Sequence, residues 1–323
     1  MTTETQAAPA VLPRAFGWIM LSAMLAFLVN AVLKFWFGFP GTGSILSGGG
    51  VLSALQWAIY IGLAVVALML VLRSRDLTLR ADAERVTAIN TFLVRAAFWT
   101  VLLVGLGDAI VSFLRVNGSL EGIVGPDLAG DLGRSQFRGL YFHTPLIVLG
   151  IVIAAVTRSL GFIWLTLLVV IAELLIVFSR FVFSYEQAFM ADLVRFWYGA
   201  LFLFASAYTL YEDGHVRVDL LYASMRREAR GRTNAWGSML LGASLCWTIL
   251  IVGFGSSSSI IVGPILVFEV TQSGFGMYVK YFMAGFLAVF AVTMMFQFVA
   301  QFFEAVADRR GEPGARETHA DMM

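Results

Sequence analysis

The chain has 323 residues, of which 59% are hydrophobic and 13% charged, and its formal net charge is +1. This composition excludes a soluble fold of this size and indicates a polytopic membrane protein. A nearly neutral chain provides no basic surface for nucleic acid, so we expect no nucleic-acid partner. The single cysteine, Cys246, excludes an intramolecular disulfide, and the three histidines are too far apart for a local metal motif. We therefore predict no cofactor, no metal site and no enzyme active site.

The first half of the chain contains predicted membrane spans behind a polar tail at residues 1–14. Apolar runs of about twenty residues predict spans at 15–37, 51–72 and 95–113. The arginine-rich segment 73–85 between the second and third predicts a cytoplasmic loop. A glycine-rich loop at 116–139 follows the third span.

The nearly continuous apolar segment 141–183 is about twice the length that one span needs. We therefore divide it into a fourth and a fifth span that turn at Arg158. The alternative, one long span, would invert the topology of one half of the chain.

Three further spans are predicted in the rest of the chain. The sixth ends at Tyr211 and is entered through an amphipathic connection from Tyr185 to Arg195. The seventh covers 236–254 after a basic loop, and the eighth covers 278–302. A polar tail at 309–323 predicts a flexible C-terminus.

The distribution of basic residues predicts the orientation of these spans. A cytoplasmic N-terminus places about two thirds of the 22 Lys and Arg residues on the cytoplasmic side, as the positive-inside rule requires. We thus predict an all-α polytopic membrane protein with about eight transmembrane helices and both termini in the cytoplasm.

A charged turn follows the sixth span. An almost fully apolar run ends at Tyr211. The residues around Gly214 are then mostly charged and include one histidine: Glu212, Asp213, His215, Arg217 and Asp219. A glycine at this position commonly ends a helix, because it adopts a left-handed conformation without steric cost. Composition alone favours an ordinary juxtamembrane turn.

The order of residues around this turn carries more information than the composition. It resembles the small (Q) membrane subunit of tripartite ATP-independent periplasmic (TRAP) transporters, through Arg180-Phe181-Val182-Phe183, Tyr185-Glu186, Asp192-Leu193-Val194-Arg195 and Gly214-His215-Val216-Arg217-Val218-Asp219. The chain departs from the family at Ala205 and Asp213, where glycine is common. The resemblance extends from about Ile163 to Arg310.

The resemblance implies a four-span small-subunit domain at 159–308, preceded by a four-span extension at 15–158. It implies a small permease subunit of the bacterial inner membrane that scaffolds a large permease subunit and contacts membrane lipid. A periplasmic solute-binding protein would deliver an organic acid for sodium-driven uptake. Glu186 and Glu269 are the candidate docking residues for that protein, and Arg180, Glu186, Asp192 and Arg195 are expected to fix the helices through a charge network.

A self-sufficient channel or carrier is the alternative function. It would use the intramembrane acids Asp108 and Glu173, since ionisable groups at membrane depth are costly and are retained for a reason. For Asp108 we favour a structural bond to a neighbouring helix, because no second acid lies nearby in sequence to complete a cation site.

Overall fold

The computed structural model describes residues 10–48, 50–158, 161–212, 222, 224–271 and 275–315. Throughout these ranges the chain forms helices and connecting turns, with no strand. Eight helices are long and apolar enough to cross a membrane. The predicted all-α membrane fold and its number of spans are thus confirmed.

The helices are numbered here in chain order. They are α1 (Val11–Trp36), α2 (Gly50–Arg73), α3 (Leu79–Val116), α4 (Leu120–Val124), α5 (Pro126–Leu132), α6 (Ser135–Val156), α7 (Phe162–Phe183), α8 (Ala188–Tyr211), α9 (Arg227–Gly253), α10 (Val262–Leu266) and α11 (Lys280–Arg309). The helices α4, α5 and α10 are too short to span, and a short 3₁₀ turn at Thr42–Ser47 connects α1 to α2.

The apolar segment 141–183 forms two spans, as predicted. The α6 helix ends at Val156 and α7 begins at Phe162, with Arg158 between them. Gly161 precedes α7 with a φ of +81°, a conformation that favours glycine over residues with a Cβ.

Several helices begin earlier than the apolar runs predict. The α3 helix begins at Leu79 instead of near residue 95, α6 at Ser135 instead of 141, and α9 at Arg227 instead of 236. The α8 helix begins at Ala188, so most of the predicted amphipathic connection is helical. Hydropathy marks only the part of a helix that suits hydrocarbon, whereas Ala, Arg and Glu continue the helix beyond it at little cost.

The described residues form two compact units. The first lies within Met1–Asn90, Leu210–Thr248 and Met294–Met323. Here α1 and α11 approach closely, since a Cβ added to Gly17 would lie 2.4 Å from the ring of Phe303. Arg14 of α1 donates to Asp82 of α3 at 2.6 Å, with both side chains buried.

The same unit joins the start of α3 to the end of α11. The Arg80 guanidinium forms ion pairs with Glu304 and Asp308, the second at 2.8 Å, and its Nε donates to the Pro313 carbonyl at 2.8 Å. These contacts connect the first half of the sequence to the last helix.

The second unit lies within Thr91–Thr209 and Ile249–Thr293. Aromatic rings of α3, α8 and α11 form its centre: the Phe204 ring makes edge contacts with Phe98 and Phe286 at centroid distances of 5.7 and 5.0 Å. The helices α3 and α6 pack backbone to backbone, since a Cβ added to Gly150 would lie 2.8 Å from the Thr100 Cα.

Candidate functional site

A cluster of buried ionisable groups lies in the second unit and centres on Asp108 of α3. Its Oδ1 accepts hydrogen bonds from Arg138 Nη1 and His143 Nε2, each at 2.9 Å. Its Oδ2 accepts the backbone N–H of Tyr278 at 2.8 Å. The side chains of Asp108, Arg138 and His143 are fully buried. Both carboxylate oxygens are therefore engaged inside the protein.

A π-helical turn at Arg138–His143 in α6 brings the two basic side chains to the same carboxylate. In an α-helix, residues with this separation point about 140° apart. The wider π-helical turn, with its i→i+5 hydrogen bonds, places them on one face. The local geometry of α6 therefore depends on a departure from α-helical periodicity.

His143 connects this carboxylate to α11. Its Nδ1 lies 2.7 Å from the Tyr281 hydroxyl, while Nε2 faces Asp108. The tautomer with the proton on Nε2 satisfies both contacts, because the imidazole then donates to the carboxylate and accepts from the Tyr281 O–H.

The Arg138 guanidinium is held by further groups. Its Nε donates to the Leu132 carbonyl at 2.8 Å and its Nη1 lies 3.3 Å from the Ser112 hydroxyl. The guanidinium carbon lies 4.1 Å from the centroid of the Tyr278 ring, a cation–π distance. The Tyr278 hydroxyl donates to the Gly133 carbonyl at 2.8 Å and also contacts Arg115.

Asp192 of α8 joins this arrangement from another side. Its Oδ2 accepts the backbone N–H of Met277 at 3.1 Å, the amide next to the one that Asp108 binds, and lies 3.4 Å from the Thr271 hydroxyl. Two carboxylates therefore bind consecutive amides just before α11 begins. Asp192 is distant from Asp108 in sequence. The fold nevertheless brings the two acids close together.

The arrangement suits a structural connection better than an ion-binding site. A coupling cation needs free oxygen ligands, but guanidinium, imidazole and amide donors already occupy the Asp108 oxygens. The structural role that the sequence favours for Asp108 stays a prediction, and these three donors support it. Among the residues that the structure describes, no group of three His, Cys, Asp or Glu side chains is placed to hold a metal ion.

The four residues expected to form one charge network make two ion pairs. Arg180 lies 3.5 Å from Glu186, and Arg195 lies 3.8 Å from Asp192. Both arginines are largely exposed, so these pairs contribute less than about 1 kcal/mol each. Asp192 is the buried member of these four residues, and it orients α8 by accepting a hydrogen bond from the backbone N–H of Met277.

The remaining predicted residues lie in different environments. The candidate docking acid Glu269 forms an ion pair with Lys280, and both side chains remain partly exposed. Glu173 lies on an exposed face of α7. The family-motif residues Gly214, His215, Arg217 and Asp219 lie outside the described residues.

Sequence reasoning missed Arg138, His143, Tyr278 and Tyr281 as partners of Asp108. Arg138 falls in a predicted loop, and His143 has no sequence neighbour that suggests a role. A search of α6 for polar residues with π-helical spacing would have found the first two. The tyrosines carry no distinguishing signal, because interfacial tyrosines are common in membrane proteins.

Comparison with known proteins gives one family match. Residues 166–308 match the family described as "Tripartite ATP-independent periplasmic transporters, DctQ component". These limits agree closely with the segment in which the sequence resembles the small subunit. No curated protein and no solved structure matches the chain.

Proposed function

Since residues 166–308 match the DctQ component family of TRAP transporters, we propose that this chain is the scaffolding small permease subunit of such a transporter. A larger permease subunit would carry the substrate and coupling-ion sites. A periplasmic binding protein would deliver the solute, an organic acid, and a sodium gradient across the bacterial inner membrane would drive its uptake.

The scaffold role is supported mainly by the buried cluster around Asp108. It connects α3 and α6, which precede the family segment, to Asp192, Tyr278 and Tyr281, which lie within it. A scaffold must hold its helices in fixed register, and a buried network of paired charges does this because separating the charges would be costly. The extension would therefore enlarge the rigid part of the membrane complex.

Docking of the binding protein would use exposed acids on the connections that precede α8 and α11. Glu186 is half exposed beside Arg180, and Glu269 is partly exposed beside Lys280. Because exposed ion pairs are weak, either acid can exchange its present partner for a basic group on a docking protein.

The experiment is reconstitution of the chain into liposomes with its large permease subunit and binding protein. We expect uptake of the solute only when all three proteins and an inward sodium gradient are present. Uptake by the chain alone would instead support the channel or carrier alternative. Uptake that follows a proton gradient and ignores sodium would overturn the proposed coupling ion.

A further inference from the structure

The α7 helix exposes a carboxylate in its middle. Glu173 lies about 15 Å from either end of this 22-residue helix at the usual rise per residue. The side chain is exposed, and it makes no hydrogen bond or ion pair with another described residue. A glutamate side chain is too short to reach the headgroup region from this depth, unlike an arginine near a helix end.

An exposed carboxylate at the centre of a bilayer is unfavourable against lipid. Ionisable residues in spans almost always face protein or a water-filled cavity, because hydrocarbon cannot solvate them. Glu173 faces neither within the described part of the chain. A group from another molecule can supply the partner that the described residues do not.

Three of the four polar residues on α7 are spaced seven positions apart: Thr166, Glu173 and Arg180, with Ser179 as the fourth. The residues of α7 that are buried within the protein include Leu165, Val169 and Ala172, which lie on a neighbouring stripe. A seven-residue period is the spacing that keeps one line of side chains against a second helix in left-handed packing. The polar line, which also borders exposed Val170 and Val177, is thus placed for contact with a helix and not only with lipid.

We propose that a transmembrane helix of the large permease subunit packs along Thr166, Glu173 and Arg180 and presents a hydrogen-bond donor to Glu173 at mid-membrane depth. This proposal rests on the proposed function. A second copy of the chain fits the surface less well. Two copies inserted with the same orientation and related by a two-fold axis would place their Glu173 carboxylates at the same depth, where like charges repel.

The first test compares recovery of the large permease subunit with the tagged full-length chain. Loss of one charge-assisted hydrogen bond predicts about tenfold lower recovery with Glu173→Leu. Glu173→Gln, which still accepts a hydrogen bond, should retain most of the recovery, and Leu175→Ala, at an exposed position of similar depth on another face, should behave as the wild type. Unchanged recovery with Glu173→Leu would overturn the proposal.

The same experiment separates this proposal from the proposed function. If the wild-type chain recovers no large permease, both fail. If the wild type and Glu173→Leu recover it equally, only the assignment of this surface fails. Thermal unfolding of Glu173→Leu alone should match the wild type, because Glu173 makes no hydrogen bond or ion pair with the described residues and its loss should leave folding intact.

A second test locates the partner directly by photo-crosslinking. A photoreactive amino acid at Val177 lies beside Glu173 along the helix, whereas one at Leu175 projects nearly from the opposite side. We expect an adduct with the large permease from position 177 and at least severalfold less from position 175. An adduct between two copies of the chain, or adducts with lipid alone, would overturn the proposal.

Discussion

Asp108 and Arg138 form an ion pair with both side chains fully buried, their Oδ1 and Nη1 atoms 2.9 Å apart. The pair joins α3 to α6, and Asp108 extends the connection to the backbone before α11 through Tyr278. A buried pair of this kind specifies an arrangement of helices more than it adds net stability, because desolvation of two charges offsets much of their attraction.

Removal of one charge from this pair should therefore destabilise the protein more than removal of both charges. Asp108→Leu leaves the Arg138 guanidinium buried without its carboxylate, and we expect a loss of about 3–5 kcal/mol of stability. The double variant Asp108→Leu, Arg138→Met should recover part of this loss. Thermal unfolding of the purified chain in detergent measures both, and a double variant no more stable than the single one would argue against the pair.

The hydroxyl of Tyr281 should contribute a smaller, separable amount. Tyr281→Phe removes the group that faces His143 Nδ1 and leaves that nitrogen without its partner, at a cost of about 1–3 kcal/mol. The matched control is Tyr198→Phe, since Tyr198 is 52% exposed. We expect a lower unfolding temperature for the Tyr281 variant only. Equal temperatures for the two variants would show that the contact is unimportant.

The sequence predicts the helical membrane fold, the eight spans and the division of residues 141–183. These features depend on apolar run length, which the bilayer sets directly. The sequence pattern does not predict that α3 begins at Leu79 or that α9 begins at Arg227, because charged residues can continue a helix beyond the hydrocarbon region. Helix ends of this kind are decided by contacts such as that of Arg80 with Glu304.

The candidate site is less predictable than the fold. Asp108 is recognisable as a buried acid at membrane depth, but its partners come from distant segments and from a π-helical turn. Helical periodicity places Arg138 and His143 on different faces, so a rule that assumes α-helix separates them. The proximity of Asp192 arises from the backbone of Met277, which sequence patterns do not reveal.

Close packing of α3 and α6 predicts a large effect for a small substitution. Gly150→Ala would place a Cβ 2.8 Å from the Thr100 backbone, and the backbone must shift to accommodate it. Gly62→Ala in α2 is the control, because an added Cβ there meets nothing within 4 Å. We expect Gly150→Ala to lower the unfolding temperature and Gly62→Ala to leave it unchanged or raise it. Similar unfolding temperatures for both would show that the helices can separate without cost.

If the binding protein docks at Glu186 and Glu269, removal of either charge should weaken its binding. Glu186→Gln and Glu269→Gln should each weaken binding severalfold. The effect should be larger at low salt, because charges at the edge of an interface mainly raise the association rate and salt screens them. Glu228→Gln is the control, since Glu228 lies in the first turn of α9 on the predicted cytoplasmic side. Surface plasmon resonance on the reconstituted complex measures the affinities. Unchanged affinity for both docking variants would count against these acids.

The orientation of the chain can be tested at the two ends of α3. Asp76→Cys and Ser119→Cys place exposed thiols before and after this helix. The predicted topology requires a membrane-impermeant thiol reagent to label position 119 in intact spheroplasts, and position 76 only after lysis. Native Cys246 is buried and should react in neither case, so the wild type is the control. The reverse labelling pattern would invert the proposed topology.

The central claim is that this chain is a subunit of a larger transporter. It is tested most directly by mild purification of the tagged chain from its native membrane, with mass spectrometry of the proteins that accompany it. We predict recovery of a large, many-span permease in a fixed ratio to the chain. Recovery of the chain alone, together with solute or ion flux after its reconstitution, would contradict the claim.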